Sequence, residues 1–98
     1  MPVELLESDT HVVIKYPART RKRRIEFDVE ANDPVTAYVM DKDGLDQFYA
    51  GEDMDVFYGL RRRRKHNDEV TIPPNTPWYL VIMNDEDVPV AVRYDVSG

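Results

Sequence analysis

Between positions 21 and 30 apolar and polar residues alternate, with Arg23, Ile25, Phe27 and Val29 at odd positions and Arg24, Glu26, Asp28 and Glu30 at even ones. Period two is the signature of a half-buried strand, so the odd face is core and Arg23 lies at its rim. The stretch Val35–Asp41 repeats the period with Val35, Ala37 and Val39 against Thr36, Tyr38 and Met40. Apolar residues occupy both of its sides, which requires cover on both faces. In Trp78–Asn84 the even positions Trp78, Leu80 and Ile82 point inward and Tyr79 and Val81 point the other way. His11–Tyr16, Val56–Leu60, Glu69–Ile72 and Val88–Val96 are β-branched or aromatic segments of strand length.

Turn chemistry punctuates these segments at Ala31–Pro34, Asp41–Gly44, Asn67-Asp68, Pro73–Pro77 and Asn84–Asp87. The last of these turns predicts a hairpin of the two final strands. Leu45–Tyr49 predicts one short helical turn ahead of Gly51, and no longer segment has the helical period. About seven short strands at a spacing of roughly 8–12 residues predict an all-β fold, an antiparallel β-sandwich. The acidic segment 1–10 reads as an N-terminal arm, a one-turn helix or a loose end, and 11–98 as a single sandwich domain.

Composition narrows the chemistry. The chain has 98 residues and no cysteine, which excludes a disulfide framework, a thiolate metal site and a cysteine nucleophile. Thirteen Lys and Arg stand against 19 Asp and Glu, a net charge of −6. Such a molecule repels bulk DNA and anionic membranes. The chain has no 18-residue apolar run, and its start lacks the basic and apolar regions of a signal peptide. The expectation is a cytoplasmic protein without membrane contact.

Against this acidic background the run Arg61, Arg62, Arg63, Arg64, Lys65, followed by His66, stands out. Consecutive cations repel one another, which favours a carboxylate or phosphate partner. Alternation along a strand sends Arg61, Arg63 and Lys65 to one face and Arg62 and Arg64 to the other. The competing reading is an edge strand protected by charge and paired with the chain's own carboxylates. Arg19, Arg21, Lys22, Arg23 and Arg24 form a second basic cluster, which would join the first into one patch if the fold brought them together.

Other constellations carry less. Asp41-x-Asp43-Gly44-x-Asp46 has carboxylates for calcium, but the EF-hand pattern fails and a plain β-turn explains the residues. His11 and His66 have no triad spacing. Most of the aromatics are needed for a core, but in Phe48-Tyr49 and Phe57-Tyr58 neighbours on a strand point to opposite faces. That leaves Tyr58 as a candidate contact beside the arginines.

The order of Phe48-Tyr49-x-Gly51, Phe57-Tyr58-Gly59, Val70-Thr71-Ile72-Pro73 and Trp78–Ile82 resembles a small bacterial domain-of-unknown-function family. Some members of that family sit beside TIR domains. More loosely, the chain resembles GOLD-like (Golgi dynamics) β-sandwiches, and the two together imply a jelly-roll or GOLD-like sandwich serving as an accessory or sensing module. The resemblance spans Arg23 to Val96 and carries no catalytic residue and no cofactor. It departs from the pattern at Gly59-Leu60, where the basic run follows in place of a second glycine. The expected function is therefore non-enzymatic: binding of a protein partner through Arg61, Arg62, Arg63, Arg64, Lys65 and Tyr58. The alternatives are nucleic-acid or other anionic-ligand binding through the same residues, and calcium-dependent binding.

Overall fold

In the computed structural model the chain forms β1 (Val3–Leu6), β2 (Thr10–Tyr16), β3 (Arg23–Met40), α1 (Lys42–Ala50), β4 (Arg62–Ile72), β5 (Trp78–Asn84) and β6 (Val90–Ser97). The structure describes residues 3–59 and 62–97. The fold is all-β and antiparallel, with six strands among the described residues in a single curled sheet, ordered β1-β6-β3-β5-β2 with β4 on β3.

The long strand β3 organises everything else. Along one edge it pairs with β4, from Arg23↔Ile72 to Thr36↔Arg62. Its other edge is shared: Glu26–Ala31 pair with β6 and Thr36–Met40 with β5. Ala31–Pro34 lie between the two halves as a bulge, opposed on β4 by Arg64 alone. Bulges bend a strand, and here the bend folds one half of the sheet over the other in the manner of a sandwich corner. The Asn-Asp-Pro signal thus marks a bend within one strand, where the sequence predicted a turn between two. Proline fits because it has no N–H to offer a ladder, and Asn32 Oδ1 accepts a bond from the Ala91 N–H at 2.9 Å.

Between the two halves lies the core predicted by the alternation: Ile25, Phe27, Val29, Val39, Trp78, Leu80 and Ile82 are all buried. The second face of the Val35–Asp41 stretch is buried too, under α1, where Tyr38, Met40, Leu45, Tyr79 and Val81 form a smaller cluster. Helix α1 is longer than the expected single turn. Asp41 caps it by accepting from the Gly44 N–H at 2.9 Å, and Gly51 closes it in the left-handed region at φ 71°.

Four further expectations are corrected. The final strands do not form a hairpin: β5 lies between β2 and β3, and β6 between β1 and β3, so the turn after Asn84 crosses from one half of the sheet to the other. Val3–Leu6 is neither a helix nor a loose end, because it pairs with β6 and buries Leu6. Asn67-Asp68 is not a turn, because β4 runs straight through it. Val56–Gly59 is not a strand and contributes one bridge, Tyr58 to Val39, while Leu60 lies outside the described residues.

Crossover turns need an anchor, and Asn84 provides it. Its buried amide donates to the carbonyls of Leu6 and Glu7, both at 3.1 Å, and of Val88 at 2.9 Å, and its Oδ1 accepts from the Glu86 N–H at 2.9 Å. One side chain thereby joins the β1–β2 turn to the β5–β6 turn.

Candidate functional site

Strand β4 presents the basic run. Arg62, Arg63, Arg64 and Lys65 are all exposed, while Arg61 lies outside the described residues. Among the described residues β4 pairs with β3 alone, so its second edge carries no partner strand. Such an edge leaves a row of backbone N–H and C=O groups open to another chain.

Three of the four described cations meet carboxylates of the same chain. Arg62 bonds Glu86 and lies 3.4 Å from Asp85, Lys65 is 3.4 Å from Glu30, and Arg64 is 3.9 Å from Asp33. Arg63 has no ion pair among the described residues. The run is thus a charged edge strand whose counterions come from the same chain, with Arg63 unpaired among the described residues.

The second basic cluster is not beside the first. Arg24 pairs across to Thr71 and bonds Glu69 at 2.6 Å, six positions along β3 from Glu30, which opposes Lys65. At a strand rise of about 3.3 Å per residue the clusters lie roughly 20 Å apart, so no joint patch forms.

Tyr58 and His66 turn inward. The Tyr58 ring packs edge-on against Phe27 at 4.7 Å and its hydroxyl lies 2.9 Å from His66 Nδ1. His66 is buried, 1% exposed, with Nε2 at 2.9 Å from the Val35 carbonyl. A carbonyl only accepts, so Nε2 carries a proton. In the neutral imidazole Nδ1 then accepts from the tyrosine hydroxyl. The pair supports the strand from behind, with His66 buried and Tyr58 half-buried. Sequence reasoning missed His66 as an inward anchor, although it shares the even face of β4 with Val70 and Ile72.

The carboxylates around Asp41 serve the helix, which replaces the expected β-turn: Asp41 is the cap and Asp46 pairs with Lys42. The exposed aromatic of the adjacent pairs is Tyr49, 61% exposed, which joins Phe48 and His11 in a surface cluster at 5.1–5.8 Å.

These features define a small all-β domain with one open, strongly basic strand edge. It is similar in fold to the pre-peptidase C-terminal domain of collagenase from Bacillus anthracis, with TM-score 0.67 and 8% identity over 98% of this chain and 88% of that one. It is also similar to the Yersinia pseudotuberculosis-derived mitogen, with TM-score 0.63 and 13% identity over 98% of this chain and 81% of that one. No family model matches the chain, and no curated protein does. The resemblances to the TIR-associated family and to GOLD-like sandwiches accordingly rest on residue order alone. No described helix is long and apolar enough to cross a membrane.

Proposed function

We propose that this domain is a non-enzymatic protein-interaction module whose binding element is the open edge of β4, with Arg63 and Arg64 as the principal cations. The observation that carries this reading is the coincidence, among the described residues, of an unpaired strand edge with four consecutive exposed cations, one without an internal counterion. An edge strand recognises an extended segment through backbone bonds, and charge selects which segment. Two structural neighbours that share the fold are a domain of a collagenase and a mitogen, both compatible with a role in binding.

Nucleic acid is the weaker reading. Glu30, Asp33, Asp85 and Glu86 stand among the cations of β4 and repel phosphate, and Arg23 and Arg24 are at the far end of the ladder. Fluorescence anisotropy with a labelled acidic, β-prone decapeptide and a labelled oligothymidylate separates the two. The peptide binds more tightly if the proposal holds. Tighter binding of the oligothymidylate, with the steep salt slope of phosphate neutralisation, overturns it.

A further inference from the structure

The charges along β4 are segregated. Arg62, Arg63, Arg64 and Lys65 fill its first part, and Asp68 and Glu69 follow after His66 and Asn67. An antiparallel neighbour reads a strand in reverse, so a strand ordered basic then acidic is complementary to itself. The edge that would receive the neighbour is open, and Arg62–Lys65 and Asn67–Glu69 are all exposed.

Geometry restricts the register. In an antiparallel pair, residues directly opposite point to the same face of the sheet. On β4 the buried His66, Val70 and Ile72 define the inner face, so Arg63, Lys65, Asn67 and Glu69 belong to the outer one. A two-fold axis perpendicular to the sheet keeps outer residues opposite outer residues, so only every second register is allowed. The register that sets His66 opposite its own counterpart places Arg63 against Glu69 of the second copy and Arg64 against Asp68. Each pair occurs twice by symmetry. Arg63 has no ion pair among the described residues, the Arg64 pair is the longest on the strand at 3.9 Å, and Asp68 makes no salt bridge among the described residues. Arg63, Arg64 and Asp68 are thus the least committed charges of β4. Glu69 already meets Arg24, which extends the outer pair into a chain of three charges.

We infer that the partner of this edge is a second copy of the same chain, joined β4 to β4 in an antiparallel, two-fold symmetric pair that continues the sheet. The inference rests on the reading of β4 as an interaction strand and names its acidic partner. The consecutive cations then have a second role: they repel other basic edges and out-of-register copies, so the same charges that permit this pairing exclude others.

Sedimentation equilibrium of the intact chain, with charge-swapped variants, tests it. The wild type shows a concentration-dependent dimer that weakens between about 50 and 500 mM NaCl as screening lengths shorten. R63E/R64E and D68K/E69K are each monomeric over the same range, with the association constant reduced at least tenfold. An equimolar mixture of the two forms a heterodimer, because both halves of the interface then oppose unlike charges. The variant carrying all four changes in one chain dimerises again, and circular dichroism establishes that each variant is folded. A wild type that stays monomeric at the highest concentration overturns the inference, as does a dimer that neither variant weakens or a mixture that does not associate. If the monomeric protein still binds the acidic decapeptide, the interaction strand stands and only its partner is wrong.

Discussion

The hydroxyl of Tyr58 and Nδ1 of His66 lie 2.9 Å apart, while Nε2 of the same imidazole reaches the Val35 carbonyl at 2.9 Å. This relay connects the segment after α1, the basic strand and the long strand just past its bulge. The arginines therefore stand on a strand fixed from behind by a buried histidine. Tyr58→Phe deletes the hydroxyl and strands one ring nitrogen in the interior. The expected loss is about 1–3 kcal/mol in urea unfolding, with the fold retained.

Asn84 has the same character at the crossover between β5 and β6. Asn84→Ala leaves the carbonyls of Leu6, Glu7 and Val88 without its amide. A loss of about 2–3 kcal/mol follows, read as a fall in Tm of roughly 10–20 °C for a domain of this size. An unchanged melting temperature would show that the two turns hold without it.

Phe27 is fully buried between the sheet halves, with the Tyr58 ring on it. Phe27→Ala removes that packing and costs about 3–5 kcal/mol by chemical denaturation. A loss under about 1 kcal/mol is incompatible with the inward face assigned to β3.

Gly44 sits in α1, where alanine would ordinarily favour the helix by about 1 kcal/mol. Here an added Cβ falls 2.6 Å from the Asp55 carbonyl oxygen and 2.9 Å from Met40 Cβ. Backbone and core lie on either side, so Gly44→Ala lowers Tm instead of raising it, and a higher Tm would contradict the close approach of helix and loop.

Tyr16 stacks on Trp78 at 4.2 Å, and burial, followed by Tyr94 and Asp95, pushes its hydroxyl pKa above the ordinary 10.0. Burial, with Asp85, raises Tyr38 as well. A raised tyrosine holds its proton more tightly when folded than unfolded. Its contribution is complete below pH 10 and is lost as pH climbs through the folded value. Stability thus declines above about pH 10, and the decline is shallower in Tyr16→Phe, as followed by urea midpoints against pH.

Much of the fold was legible because period two reports faces directly. Ile25, Phe27 and Val29, like Trp78, Leu80 and Ile82, fall where alternation places them. Pairing was less legible. Asn32, Asp33 and Pro34 satisfy a turn and a bulge equally well, since both require local side-chain bonding and a missing ladder donor. The two final strands looked like a hairpin because the linking segment is short, yet each pairs with a different length of the same edge of β3, in separate halves of the sheet. β1 was masked by the acidic residues in and after it, Glu4, Glu7 and Asp9, of which only Glu4 belongs to the strand, on an exposed position. At the candidate site the cations were plain in the sequence, but their counterions were not. Asp85 and Glu86 come from the crossover turn and Asp33 from the bulge, so only the folded path brings them to β4.

The central claim is that β4, and not net charge, is the binding element, and one titration tests it most directly. Labelled acidic decapeptide is titrated with wild type, R63E/R64E and R21E/K22E, the last two carrying the same change in net charge at different places. R63E/R64E should bind at least tenfold more weakly and R21E/K22E within about twofold of wild type. All three should melt within a few degrees of one another, because exposed charges contribute little to stability. Equal weakening by both reversals, or no weakening by R63E/R64E, would contradict the account.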